Sequence, residues 1–146
     1  MVRERNKQIC REVMERGFNQ GDLTVWEEYS DPHGVDQQEP EGTDFITHLK
    51  EVTVGLRTAF PDLHFEIHDM LAEGNRVAFR ATMTGTHTGV FSLGPIRNLP
   101  PTGRGIAVPH LYLIHMENGK TTELWHEWNT ALMMQQLGIA PQPARP

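Results

Sequence analysis

Apolar residues recur at helical spacing in the first half of the chain and at alternate positions in the second. Ile9, Val13, Met14 and Phe18 make one stripe, with charges on the remaining faces, and predict a helix over residues 3–18. Gly17 or the Asn19-Gln20-Gly21 stretch stops it. Asp22 is placed to cap a short helix over residues 23–29, packed through Val25, Trp26 and Tyr29. Asp31-Pro32-His33-Gly34 breaks the period, and the polar run at residues 34–41 reads as a short strand or loop. Thr43 can cap a third helix over residues 44–60, where Phe45, Leu49, Val52, Leu56 and Phe60 keep the helical period until Pro61.

From there the period is two. Leu63, Phe65 and Ile67 alternate with His64, Glu66 and His68, and after a turn at Glu73-Gly74-Asn75, Val77, Phe79, Ala81 and Met83 alternate with polar residues. Residues 89–103 are rich in Pro and Gly and read as a loop, whose apolar members suggest a flap. A hairpin over residues 108–129 follows, turning at Asn118-Gly119, because both residues of such a turn must tolerate positive φ. Leu132, Met133 and Leu137 fit a last short helix ending at Gly138, and residues 141–146 are a tail. Helices followed by four strands are an α+β pattern in one domain over residues 1–140. A bent antiparallel sheet wrapped on the long helix leaves a conical cavity.

Side chains alternate faces along a strand, so the hairpin register decides what enters that cavity. Counting outward from the turn pairs Ile114 with Glu123, Tyr112 with Trp125 and His110 with Glu127. His110, Tyr112, Trp125, Glu127 and Asn129 then share the inner face. Leu111, Leu113, Leu124, His126 and Trp128 share the other. That outer apolar face is hard to leave in water, and a symmetric dimer is the simplest cover. A β-bulge would bring His126 inward instead.

Composition narrows the functions. The 146 residues carry a formal net charge of −6, and no basic run exists. Nucleic acid and anionic membranes are therefore disfavoured partners. No apolar stretch is long enough to span a bilayer. The single Cys10 and an N-terminus without an apolar signal region fit a reducing, cytoplasmic setting. The eight histidines show no HxH or HExxH spacing in a favourable context, and His64 and His68 lie too far apart on a strand to chelate, so no metal is expected.

Several short pieces occur in order: Ala59-Phe60-Pro61-Asp62-Leu63, Ala72-Glu73-Gly74-Asn75-Arg76-Val77, Gly85-Thr86-His87-Thr88-Gly89, Pro101-Thr102-Gly103-Arg104, Asn118-Gly119-Lys120, Glu123-Leu124-Trp125 and Gln136-Leu137-Gly138. Together they resemble the SnoaL-like polyketide cyclases, or ester cyclases, of the NTF2-like superfamily. The resemblance covers nearly the whole chain. It implies a cone-shaped α+β barrel with three N-terminal helices packed on the sheet, a deep apolar pocket, and a dimer or tetramer. It also implies no cofactor, no metal, and aldol ring closure with one carboxylate as acid and base. In that family an Asp stands four residues after the Trp of the last strand, where this chain has Asn129. An amide has no proton to exchange, so the acid/base candidate becomes Glu127, two residues earlier.

The candidate catalytic residues are thus Glu127 as base, with His110, Tyr112 and Asn129 stabilising an enolate. The candidate substrate contacts are Trp125, Phe18, Trp26, His48 and His126. Each has a plainer reading: a Glu–His cross-strand pair, a satisfied buried Tyr, a helix-capping Asn, and aromatic core residues. The expected function is a cofactor-independent cyclase or isomerase of secondary metabolism acting on a hydrophobic carbonyl compound. A hydrolase or dehydratase on the same cone is the alternative. An epoxide hydrolase wants an acidic pair around an Arg to orient water. Glu127 has no evident partner carboxylate, and Arg76 or Arg80 facing inward would raise this reading. A non-catalytic small-molecule-binding accessory protein is the third reading.

Overall fold

The computed structural model describes residues 1–139. The predicted tail at residues 141–146 lies outside them. Helix α1, Val2–Val13, runs on into a π-helical turn, Met14–Asn19, and α2 spans Thr24–Tyr29. The residue before α2 is Leu23 rather than the expected cap Asp22, whose carboxylate accepts the Thr24 amide at 3.0 Å in the turn that leads into the helix. The long α3, Phe45–Ala59, is capped by Asp44 rather than Thr43; the Asp44 carboxylate accepts the Thr47 amide.

The strands are β1 (Ser30–Asp36), β2 (His64–Glu73), β3 (Arg76–Thr86), β4 (Phe91–Leu93), β5 (Ile96–Leu99), β6 (Gly105–Glu117) and β7 (Lys120–Trp128). A last helix α4, Thr130–Gln136, follows. The main sheet runs β1-β7-β6-β3-β2 and is antiparallel except for the parallel pairing of β1 with β7. The stretch Asp31–Gly34, whose Pro and Gly argue against a strand, is nevertheless part of β1, because an edge strand with few pairs tolerates both.

One face of the sheet packs on α1, α2 and α3. Phe45, Leu49 and Leu56 from α3 meet Phe65, Val77, Phe79 and Met83 in one buried cluster. Register irregularities at Ile67/Asp69 in β2 and beside Thr122 in β7 bend the sheet around the helices. The segment expected to be a flap contains the β4–β5 hairpin, seated on α3. The Thr88 and Gly89 amides donate to Ala59 O, and buried Phe91 lies edge-on to Phe60, with ring centroids 5.4 Å apart. A Cβ on Gly89 would come within 1.9 Å of Thr58 O, so only glycine allows that seat.

Candidate active site

The Asn118-Gly119 turn forms as the sequence requires, with φ of 51° and 77°. Glu117 pairs with Lys120 and Met116 with Thr121, but His115 then pairs with Glu123, leaving Thr122 as an extra residue. The Thr122 hydroxyl donates to His115 O, which holds the bulge in place. Beyond it every residue of β7 is displaced by one. Tyr112 faces His126, His110 faces Trp128 and Leu111 faces Glu127.

This corrects the inner face. Glu127 and Trp125 turn outward, where with Leu71, Leu111, Leu113 and Arg80 they line a surface cavity of about 380 Å³. Glu127 is exposed and cannot serve as a base inside the cone. Asn129 is also exposed, and its side chain caps α4 by accepting the Leu132 amide at 3.0 Å. Leu124 and Trp128, expected outside, face inward. The charge pattern of β7 carried the signal: Glu123 and Glu127 flank Trp125 on one face, while Leu124, His126 and Trp128 on the other carry no carboxylate.

The structure instead brings together His110, Tyr112, His126 and Trp128. His110 Nδ1 lies 2.7 Å from His126 Nε2. The Tyr112 and His126 rings stack with centroids 4.2 Å apart and planes at 4°. Phe79 stacks on Tyr112 from β3, and Phe65 meets His110 edge-on at 5.0 Å. The His110, Tyr112 and His126 rings stack on one another along the inner face of β6 and β7. Phe18 and Trp26 belong to the core behind it: Phe18 packs between Trp26 and Phe65, and the Trp26 indole donates to Thr53 Oγ1 at 3.0 Å.

Asp36 completes the group. Its Cα pairs with that of Leu124, so the parallel β1–β7 contact alone puts it beside the inner face. It also lines an opening of about 250 Å³ with Val35, Glu39, Pro40 and Phe45. His48, near the start of α3, sits with Nε2 2.8 Å from Glu39 Oε1 and 3.5 Å from Asp36 Oδ2. Nothing local in the sequence marks Asp36, because its place depends on pairing with a strand about ninety residues away.

Burial disfavours charge throughout this cluster. It pushes His126 down to about 4, against the pull of the Asp36 carboxylate. Burial and the neighbouring His126 push His110 down to about 2, and burial lifts the Tyr112 phenol. Both imidazoles and the phenol are therefore neutral at pH 7. For Asp36, burial acts upward, but the His48 hydrogen bond and the Gln38 amide outweigh it and hold the carboxyl below its usual range.

The tautomers follow from one orphan atom. His110 Nε2 is buried without a partner. Were it protonated, a buried N–H would go unsatisfied at a cost of about 1–3 kcal/mol. The favoured arrangement puts the proton on His110 Nδ1, donating to His126 Nε2. His126 then carries its own proton on Nδ1, which has no hydrogen-bond partner among the described residues. The site so presents a neutral N–H donor, a neutral phenol and an ionised carboxylate in apolar surroundings.

Relatives share this architecture. TsrD from Streptomyces laurentii superposes with a TM-score of 0.81 at 22% identity, covering 94% of this chain and 97% of that one. IdmH, a candidate polyketide cyclase from Streptomyces antibioticus, gives 0.76 at 27% identity, covering 91% and 98%. AclR, a candidate hydroxylase from Streptomyces galilaeus, gives 0.79 at 26% identity, covering 98% and 87%. No curated protein matches the sequence significantly. A family model described as SnoaL-like polyketide cyclase matches residues 8–137. With the cone of helices and bent sheet in place, that match means that the chain belongs to the SnoaL-like polyketide cyclase family.

Proposed function

We propose that this chain is a cofactor-independent, cyclase-type enzyme that acts on a hydrophobic carbonyl compound through an enolate. Membership of a cyclase family supports the cyclase class. The likeness to IdmH supports a polyketide-like substrate. The observation that carries the chemistry is the juxtaposition of an ionised Asp36 with neutral His126 and Tyr112.

In this reading Asp36 takes the proton α to a carbonyl. The C–H pair moves into the carbonyl, and its oxygen gathers negative charge against the His126 N–H and the Tyr112 O–H. Attack of the enolate carbon on a second carbonyl of the same molecule forms the ring bond. Asp36 returns its proton to the new alkoxide. A neutral imidazole suits the donor's role, because it does not surrender its proton to the carboxylate at working pH. Losing one such donor typically lowers turnover by about 10²–10³. The hydrolase alternative loses support, since Arg76 and Arg80 are both exposed.

The test is exchange of α-protons with D2O in a 1,3-dicarbonyl aryl ketone, followed by NMR. Wild-type protein should accelerate exchange, and Asp36→Asn should abolish it. His126→Asn, whose amide N–H can replace Nδ1–H, should retain more activity than His126→Ala. Equal exchange in Asp36→Asn and wild type would refute the assignment. Ligand binding without exchange would favour an accessory binding protein.

A further inference from the structure

The segment between β1 and α3 borders the opening beside Asp36. Its backbone is fastened at one end, where the Gln37 amide donates to Leu124 O at 2.9 Å and the Gln38 amide donates to Asp36 Oδ1 at 3.1 Å. The Gln37 side chain also donates to Glu123. Farther on the loop holds itself through the Glu39 amide on Asp36 O and the Thr43 hydroxyl on Pro40 O. It is tied to α3 by His48, whose Nε2 reaches a carboxylate on β1 and another in the loop.

We infer that His48 is the positioning residue of this site: one imidazole shared by Asp36 and Glu39 fastens the mouth and fixes the Asp36 carboxylate beside β7. The inference rests on reading Asp36 as the base. His48 and Asp36 side chains are 17% and 10% exposed, so solvent screens their contact weakly. The titratable groups around the ring are Asp36 from β1, Glu39 from the loop and Glu51 from α3, with His126 beyond Asp36 on β7. Three carboxylates thus surround one ring. The hydrogen bond to Asp36 and these charges raise His48 above its ordinary range despite burial. The protonated ring in turn opposes protonation of Asp36. Without it, only the Gln38 amide and the weaker pull of His126 oppose burial, and the Asp36 midpoint rises.

The arrangement separates two tasks. Asp36 meets the substrate, while His48 sets the orientation and charge of Asp36 without touching the reacting atoms. The experiment follows the Asp36 side-chain carboxyl by 13C NMR from pH 2 to 8 in wild type, His48→Gln and His48→Ala. The Gln variant retains a donor but no charge. In both variants the Asp36 midpoint should rise by at least about one pH unit. Exchange of the Gln38 amide should stay slow in His48→Gln and quicken in His48→Ala. An unmoved Asp36 midpoint in His48→Gln would overturn the inference. If Asp36→Asn abolishes α-proton exchange while that midpoint stays put, only the role of His48 falls. If Asp36→Asn exchanges normally while the midpoint moves, the reading of Asp36 as the base falls instead.

Discussion

Acidification should unfold this protein through its paired imidazoles. His126 sits at about 4 and His110 at about 2 when folded, against an ordinary 6.5. The unfolded chain therefore binds protons first as pH falls. The stability these two groups contribute is complete above pH 6.5 and declines as pH drops from there, toward 4 for His126 and toward 2 for His110. Each pH unit within that window costs about 1.4 kcal/mol per histidine. From pH 7 to pH 5, each contributes a loss of about 2 kcal/mol, or about 4 kcal/mol for the pair. His48 acts in the opposite sense, since its folded value is raised and its stabilisation persists below 6.5. Asp36, depressed on folding, loses its contribution only at lower pH, below the ordinary carboxyl range. A loss of about 4 kcal/mol is a large share of the 5–15 kcal/mol typical of a domain. Urea denaturation followed by tryptophan fluorescence at pH 7, 6 and 5 measures it directly. His110→Phe keeps the aromatic volume and removes one titrating ring and the orphan nitrogen. Its loss of stability between pH 7 and pH 5 should be smaller than that of the wild type by about 2 kcal/mol. Equal losses in the two proteins would refute the reasoning.

Other outcomes follow from the same geometry. Glu127→Gln should leave α-proton exchange within about twofold of wild type, because an exposed outer-face carboxylate does not meet the interior; a loss like that of Asp36→Asn would restore Glu127 to the site. The outer face bares Leu71 at 74%, Leu111 at 59% and Trp125 at 38% exposure. Arg80 and Glu127 border the same patch, so a two-fold axis can set opposite charges against each other. We propose a second copy of the chain as its occupant. Sedimentation should show a dimer in the wild type and a monomer in Leu111→Glu, whereas a monomeric wild type would dismiss this cover.

The local part of the sequence settled the long helices and the central strands, but not β1 or the β4–β5 hairpin. The stripe from Phe45 to Leu56 and the alternation through β2 and β3 each act within a few neighbours, so periodicity suffices to read them. Asn118-Gly119 likewise specified its own turn. The ordered family motifs carried the fold and the family, and the alternation of β6 counted from that turn put His110 and Tyr112 on the inner face. Two features depended on distant parts of the chain. Thr122 is accommodated as a bulge, held by His115 across the hairpin; the one-residue slip buries Leu124, His126 and Trp128 and turns Trp125 and Glu127 outward. Pairing rules counted from the turn cannot see that slip, because burial of the whole strand face outweighs the local ladder. Asp36 joins the site only because β1 docks parallel to β7 and α3 brings His48 over it. Neither contact has a local periodic signature, so tertiary packing alone selected which carboxylate reaches the interior.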